Sequence, residues 1–170
     1  MPAREEFPIR QRWLRDPEMM SYNAGWELPT PLYNNDTGCV EWPESQWGAF
    51  ESRLRRPSEE HGYFYVSDGE EFIGHVHYEL DPAQRASIGL NVIPSRRGQG
   101  LSKSMLQLLL DEMWSKTAAV EAVNEFEDSR DAAAACHRAV GFVPDTNRNL
   151  DRPKPTRYWR IRRPETPWSM

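Results

Sequence analysis

The segment from Leu90 to Leu110, LNVIPSRRGQGLSKSMLQLLL, places two arginines and two glycines between a β-branched run and an amphipathic run. Gly98 and Gly100 would let the backbone approach a ligand closely at the start of a helix. The free N–H groups and the dipole of a helix N-terminus attract anions, and Arg96 and Arg97 would add charge-assisted contacts. The pattern predicts a phosphate-binding turn, and a tight turn with surface arginines is the alternative. It matches neither the dinucleotide fingerprint nor a Walker A loop.

Proton-transfer chemistry is suggested by the stretch HVHYE, which places His75, His77 and Glu79 at alternate positions. Alternate side chains of a β-strand lie on one face, so these three groups would share a surface. They are ordinary polar residues if that face meets solvent. Glu121, in a later short apolar segment, is a further candidate proton acceptor. Three alternate residues of one strand rarely complete a metal site, and we therefore expect no metal.

Hydrophobic periodicity predicts the elements that would hold these residues in place. Two aromatic or β-branched runs around Asp68 and Gly69 predict a hairpin, and residues 86–93 predict a third strand of the same antiparallel meander. The glycine turn leads into a predicted helix over residues 101–114, followed by a short strand over 118–123. Such a crossover makes parallel neighbours. The apolar face of this helix is predicted to be Leu101, Met105, Leu108, Leu109 and Met113.

The remaining elements flank this central unit. Asp16 and Pro17 have the residue types of an N-cap and a first helical position, so they predict the start of a short helix. The loop over residues 26–43 is long enough to favour a functional role. The other predicted elements are a strand over residues 7–14, a helix over 43–56, a helix over 128–141 and a strand over 157–161.

Length and charge limit the classes of protein to consider. A chain of 170 residues favours one domain, and a net charge of −5 makes nucleic acid an unlikely default partner. Only two cysteines occur, Cys39 and Cys136, so a disulfide scaffold is not expected. The N-terminal segment has no apolar run of the kind found in secretion signals, and no run approaches a membrane span. We therefore expect a cytoplasmic protein.

The order of meander, RRGQGLS turn, amphipathic helix, strand and alanine-rich helix ending in Gly-Phe resembles the GNAT superfamily of acyl-CoA-dependent N-acyltransferases. The family signature Gln/Arg-x-x-Gly-x-Gly/Ala maps onto Arg97 to Ser102, with Ser102 where Gly or Ala is usual. The resemblance implies an α/β (α+β) fold with a mixed, mostly antiparallel twisted sheet of six to seven strands and about four helices. It also implies a single N-acetyltransferase domain over residues 1–170, with a coenzyme-binding core over about 86–142 and an acceptor-side loop over about 26–43.

The resemblance further implies acetyl-CoA as co-substrate. The backbone of Val92 and Ile93 would pair with the pantetheine arm, and the N–H groups of the glycine turn would hold the pyrophosphate. His137 stands four residues before the Gly-Phe pair, where the family often has a tyrosine general acid, and a helix histidine with no catalytic part is the alternative. Glu79 is the expected base. The residues expected to contact the coenzyme are Asn91, Val92, Ile93, Arg97, Gly98, Gln99, Gly100, Leu101, Ser102 and Lys103.

The acceptor would bind to the first helices and their connecting loop, where Tyr22, Asn23, Trp26 and Tyr33 are the expected contacts. We expect transfer of an acetyl group to the primary amine of a small molecule by direct attack, without a covalent enzyme intermediate. A non-catalytic acyl-CoA sensor of the same fold and an interaction domain without CoA binding are the alternatives. We expect no nucleic-acid or membrane partner and leave a homodimer open.

Overall fold

The computed structural model describes residues 1–30, 32–69, 71–151 and 153–165. Within these residues, a six-stranded sheet has helices packed on both faces. The strands are β1 (His61–Asp68), β2 (Glu71–Leu80), β3 (Arg85–Val92), β4 (Glu121–Glu127), β5 (Val143–Asn149) and β6 (Thr156–Arg162). The helices are α1 (Phe7–Arg15), α2 (Pro17–Met20), α3 (Trp47–Leu54), α4 (Leu101–Lys116) and α5 (Asp131–Val140).

The strands lie in the order β1-β2-β3-β4-β6-β5. The first three form the expected antiparallel meander, and its first turn holds Gly69 at a φ of 67°. Strands β3 and β4 are parallel neighbours joined through α4, which confirms the predicted crossover. The pairs β4–β6 and β6–β5 are antiparallel. The sheet is therefore mixed and mostly antiparallel, as expected, with five α-helices in the described residues.

One predicted strand is wrong, and one observed strand was not predicted. The strand expected over residues 7–14 is wrong, because Phe7–Arg15 forms α1. Pro8 lies in its first turn, where a missing N–H costs nothing, and Phe7 is buried against the rings of Trp42 and Trp47. Strand β5 escaped prediction because its side chains are mostly polar and exposed. It pairs only with β6, at the edge of the sheet.

The larger core lies between the sheet and the helices α4 and α5. In α4 the buried residues include Met105, Leu106, Leu109 and Leu110, whereas Leu108 is 60% exposed. The prediction that Leu108 faces the core is therefore wrong. Leu108 lies two residues from both Leu106 and Leu110, about 200° around the helix axis, so it cannot share their face.

The opposite face of the sheet is covered by α1 and α3 through an aromatic cluster. Four rings on this face, those of Trp13, Tyr63, His75 and His77, form what we call the ring ladder. The Tyr63 ring stacks on His75 at 5.2 Å and on His77 at 5.9 Å, with interplanar angles of 15° and 16°. Trp13 stacks on His75 from the other side. The two histidines predicted to share a strand face with Glu79 are thus packing groups beneath α1.

The sheet opens between its two central strands. The last pair that joins β3 to β4 is Ser87 with Val123. Beyond it, residues 88–92 and 124–127 continue as strands without pairing to each other. We call this opening the gap. Since both strands still pair with their outer neighbours, the gap is held open by the rest of the sheet.

Gly74 of β2 holds the β3 side of the gap in position. A Cβ at this residue would lie 2.0 Å from the backbone oxygen of Asn91, and its φ is 156°. We expect Gly74→Ala to lower the free energy of unfolding by about 3 kcal/mol, because backbone rather than a flexible side chain must move. Urea unfolding measures this.

The matched control is Gly48→Ala, at an exposed position of α3 with no atom within 4 Å of the added methyl group. We expect that change to be neutral or to stabilise the protein by up to about 1 kcal/mol. Equal unfolding midpoints for the two variants would contradict the close approach of β2 and β3.

Candidate active site

A cavity of about 270 Å³ lies at the gap. The ends of β3 and β4, the glycine turn, and the first turns of α4 and α5 surround it. It is lined by Ser21, Tyr22, Leu90, Asn91, Val92, Arg96, Arg97, Gly98, Gly100, Leu101, Ser102, Asn124, Phe126, Arg130, Ala132, Ala133, Cys136 and His137. Of the ten residues expected to contact the coenzyme, seven are in this lining, whereas Ile93, Gln99 and Lys103 are not. Their contact with a ligand stays a prediction.

The glycine turn exposes the N-terminus of α4 to this cavity. Gly98 and Gly100 have φ values of 75° and 77°, in the left-handed region that glycine adopts without strain. α4 begins at Leu101, and no side chain caps it. No atom lies within 4 Å of a Cβ built on either glycine, so the space in front of the turn is open. The free N–H groups of the first helical turn can therefore bind an anion that enters the cavity.

Main-chain groups of β3 also face the gap. N–H and C=O groups alternate in direction along a strand, and Ile93 donates its N–H to the carbonyl of Ile73 on β2. By this alternation, Leu90 and Val92 direct their N–H groups toward β4. They can donate hydrogen bonds to an extended ligand in the gap or to a developing oxyanion.

The two arginines of the turn are already bonded. Arg97 donates from Nε to the Val92 carbonyl at 3.0 Å and from Nη1 to the Glu18 carbonyl at 3.2 Å. Arg96 pairs with Asp68 and Glu71 at the hairpin turn. Both side chains still border the cavity, but their bonds hold the turn to β3, α2 and the hairpin. A phosphate contact by either side chain would compete with these bonds.

Arg130 is a cavity cation that the sequence analysis did not assign. It lies between β4 and α5, and its guanidinium is 5.5 Å from the ring centroid of Tyr22. Burial lowers the pKa of Arg130, although the guanidinium remains charged. No short motif marks this residue; its position after β4, on the cavity side of α5, became visible only in the structure.

His137 lies at the cavity but presents no proton to it. The side chain is 1% exposed, and burial lowers its pKa. Its Nδ1 lies 2.8 Å from the Ala133 carbonyl, which can only accept, so Nδ1 carries the ring proton. Nε2 then accepts from the Asn124 amide at 3.1 Å. The neutral ring therefore has its one N–H bonded to the helix backbone, which does not suit the predicted role of general acid.

Glu79 lies on the other face of the sheet and does not line the cavity. Its carboxylate pairs with Arg53 at 2.8 Å and with Arg56 at 2.7 Å. The hydrogen bond from Arg56 is the main reason that its pKa is lowered. Glu79 borders a second groove, which we call the opposite groove. It is lined by His77, Glu79, Leu80, Asp81, Arg85, Ser87, Val123, Tyr158 and Arg160.

The residues expected to bind the acceptor separate into two groups. Tyr22 lines the cavity. Trp26 donates its indole N–H to Glu127 at 3.0 Å, and Tyr33 donates its hydroxyl to the Asn23 carbonyl at 2.5 Å. Asn23, Trp26 and Tyr33 therefore hold the long loop together and against the end of β4. Acceptor binding by these three residues stays a prediction.

The described residues were also considered as possible membrane spans and metal ligands. No helix in that part of the chain is long and apolar enough to cross a membrane. The same residues contain no group of three or more His, Cys, Asp or Glu side chains placed to hold a metal ion.

A family model and a set of solved structures match this chain. The model of the acetyltransferase (GNAT) family matches residues 12–142 of the chain. A search of curated proteins gave no match.

Solved structures with the same fold include spermidine N-acetyltransferase from Vibrio cholerae in complex with CoA and spermine, at 15% identity and a TM-score of 0.76, covering 95% of this chain and 92% of that one. RimJ from Mycobacterium smegmatis, in complex with CoA-disulfide, is 19% identical with a TM-score of 0.74, and the match covers 99% of this chain and 82% of that one. AAC(6')-Ib in complex with ribostamycin and coenzyme A is 13% identical with a TM-score of 0.72, and the match covers 96% of this chain and 91% of that one. The chain belongs to the acetyltransferase (GNAT) family and is an N-acetyltransferase of that family.

Proposed function

We propose that the protein transfers an acetyl group from acetyl-CoA to the primary amine of a small molecule by direct attack. The observation that carries this proposal is the gap between β3 and β4, with the open N-terminus of α4 at one end of the cavity beside it. An extended chain that ends in a pyrophosphate fits this combination of a strand-like slot and an anion cradle.

The coenzyme would be held mainly by main-chain groups. The N–H groups from Gly98 to Ser102 would bind the pyrophosphate, with Gly100 allowing close approach, whereas the N–H of Lys103 donates to the Gly100 carbonyl at 3.2 Å. The gap-facing N–H groups of Leu90 and Val92 would bind the pantetheine arm and the carbonyl oxygen of the thioester. Arg130 would add positive charge to the cavity, while Arg97 keeps its bonds to main-chain carbonyls.

The acceptor would enter from the opposite groove. Val123 lines that groove, and its neighbour Asn124 lines the cavity, as expected for adjacent residues of one strand. The gap begins just beyond Val123, so a carbonyl carbon in the gap could be reached by an amine in the groove. At this groove Asp81 pairs with Arg85, and Arg160 pairs with Asp145. Since these charges are already paired, an amine with one positive charge suits the groove better than a polyamine.

Direct attack requires the amine to lose a proton and the oxyanion to find donors. Deprotonation is demanding, because alkyl amines have pKa values of about 10. Glu79, an anion at the groove, is the predicted base and would act through water, since its oxygens are bonded to two arginines. The N–H of Val92 is the predicted oxyanion donor. The protein would act in the cytoplasm, and residues 1–170 would form one catalytic domain, of which residues 166–170 lie outside the described part.

A thermal-shift titration with acetyl-CoA, CoA and desulfo-CoA tests the first half of the proposal. Ligand at about a hundredfold over its Kd should add about 2.7 kcal/mol, which is a shift of several degrees for a chain of this size. An acceptor panel then compares a monoamine, spermidine, an aminoglycoside and a peptide with a free N-terminus, with release of the CoA thiol as the readout.

The outcomes separate the alternatives. Thiol release with a small amine supports the proposal, whereas release only with the peptide would contradict the small-molecule acceptor. Binding without release across the panel would indicate an acyl-CoA sensor. No shift with any of the three CoA compounds would indicate an interaction domain. Light scattering of the same samples distinguishes a monomer from the homodimer left open above.

A further inference from the structure

We infer that the hydroxyl of Tyr22 is the proton donor to the sulfur that leaves when the thioester is cleaved. The inference rests on the proposed function, and it gives Tyr22 a role different from the acceptor contact expected from the sequence. Tyr22, Cys136 and His137 are cavity groups whose side chains can carry a transferable proton.

Two candidates other than Tyr22 are unsuitable. The N–H of His137 is bonded to the Ala133 carbonyl, and Nε2 accepts from Asn124, so no proton of the ring faces the cavity. Burial raises the pKa of the Cys136 thiol, and its hydrogen-bond partner is Ser102, in the first turn of α4. Cys136 therefore lies at the anion end of the cavity, away from a thioester in the gap.

Tyr22 lines the cavity beside the gap. It belongs to a short 3-10 turn (Ser21–Asn23) that follows α2. Its side chain has Asn91 of β3 as a hydrogen-bond partner and Arg130, which follows β4, against its ring at 5.5 Å. One residue from each side of the gap therefore holds the phenol. The hydroxyl lies 4.0 Å from the Met20 sulfur, a long contact that leaves the O–H available to a ligand.

Burial keeps the Tyr22 phenol protonated, and nearby positive charges would stabilise a phenolate formed during the reaction. Burial raises the pKa of Tyr22, so the hydroxyl retains its proton at neutral pH. The charges of Arg10 and Arg130 and the amide of Asn91 act in the opposite direction and would stabilise a phenolate. A buried phenol beside two cations can donate a strong hydrogen bond to a thiolate.

The step balances in atoms and charge. When the tetrahedral adduct collapses, the carbon–sulfur bond breaks and its electron pair goes to sulfur, while the carbonyl double bond forms again. The phenolic proton of Tyr22 moves to sulfur, which leaves as the thiol of CoA. The phenolate of Tyr22 then takes a proton from water, and the amide nitrogen has already lost its extra proton to the base or to solvent.

The test is Tyr22→Phe, which removes the hydroxyl and keeps the ring against Arg130. Tyr65→Phe is the matched control, because the Tyr65 hydroxyl is buried and does not line the cavity. The first measurement needs no acceptor: the thiol of bound CoA is titrated by the ultraviolet absorbance of its thiolate. In the wild type and in Tyr65→Phe we expect a pKa at least about one unit below that in Tyr22→Phe.

The second measurement is kcat with the amine found in the panel, for which we expect a loss of about a hundredfold in Tyr22→Phe and less than threefold in the control. The Kd of CoA, measured by calorimetry, should change little in either variant. Bound CoA with the same thiol pKa in wild type and Tyr22→Phe would overturn the inference while leaving the proposed function in place. A wild-type protein that binds no CoA would overturn both.

Discussion

Replacing Gly100 with glutamate is expected to abolish acetyl-CoA binding, with a loss of more than about a hundredfold in affinity. The glutamate would put a negative charge at the N-terminus of α4, where the proposed pyrophosphate site requires positive potential. It would also fill the open space in front of the turn. Calorimetric titration of wild type and Gly100→Glu with acetyl-CoA measures the effect.

Gly100→Ala is the control that separates charge from backbone strain. Both substitutions place a side chain at a φ of 77°, so both should cost about 1–2 kcal/mol of unfolding free energy. We expect the alanine variant to lose less than about tenfold in affinity, because it adds neither charge nor bulk. If the two variants bind acetyl-CoA equally well, the anion site does not lie at the start of α4.

Acidification from pH 7 to pH 5 is expected to lower the free energy of unfolding by at least about 2 kcal/mol. Burial lowers the pKa of all four histidines, and that of His77 falls to about 4. The unfolded chain therefore binds protons as the pH falls through about 6.5, while the folded protein does not. The contribution of the neutral histidines to the free energy of unfolding is fully present above about pH 6.5. It is lost as the pH falls toward the pKa of each histidine in the folded protein. His77 alone accounts for roughly 2 kcal/mol between pH 7 and pH 5.

The variant His77→Phe tests this origin of the acid sensitivity. Phenylalanine keeps an aromatic ring against Tyr63 in the ring ladder but cannot be protonated. Urea unfolding at pH 7, 6 and 5 should show a shallower pH dependence in the variant than in the wild type. Carboxylates with lowered pKa, such as Glu79, lose their contribution only as the pH falls below about 4.5, outside this range. An equal pH dependence in both proteins would contradict the buried, neutral His77.

Local pattern in the sequence determined the central unit of this protein. Turn residues at Asp68 and Gly69 and alternating apolar residues define the hairpin, because these signals act within a few residues. The glycines after β3 likewise predict a strand-to-helix turn with an open helix N-terminus. The GNAT resemblance could be read from this segment because its chemistry depends on backbone geometry, which glycine spacing records directly.

Where the periodic signal is weak, the sequence was misleading. The segment of α1 alternates well enough to suggest a strand, and only its packing against Trp42 and Trp47 selects the helix. Strand β5 has polar side chains and forms because its backbone pairs with β6. In both cases the decisive interactions are with residues distant in the chain, which a local pattern cannot represent.

Only the tertiary structure shows the surroundings of the expected site residues. Glu79 and His137 have suitable side chains, but the structure gives Glu79 two arginine partners and gives the His137 proton to a carbonyl. Tyr22 reaches the cavity because α2 and its following turn pack near the end of β3, about seventy residues later in the chain. Sequence types determine which chemistry a residue can perform. Three-dimensional contacts determine its protonation state and the face of the sheet on which it acts, because burial, hydrogen bonding and charge pairing depend on neighbours brought together only by folding.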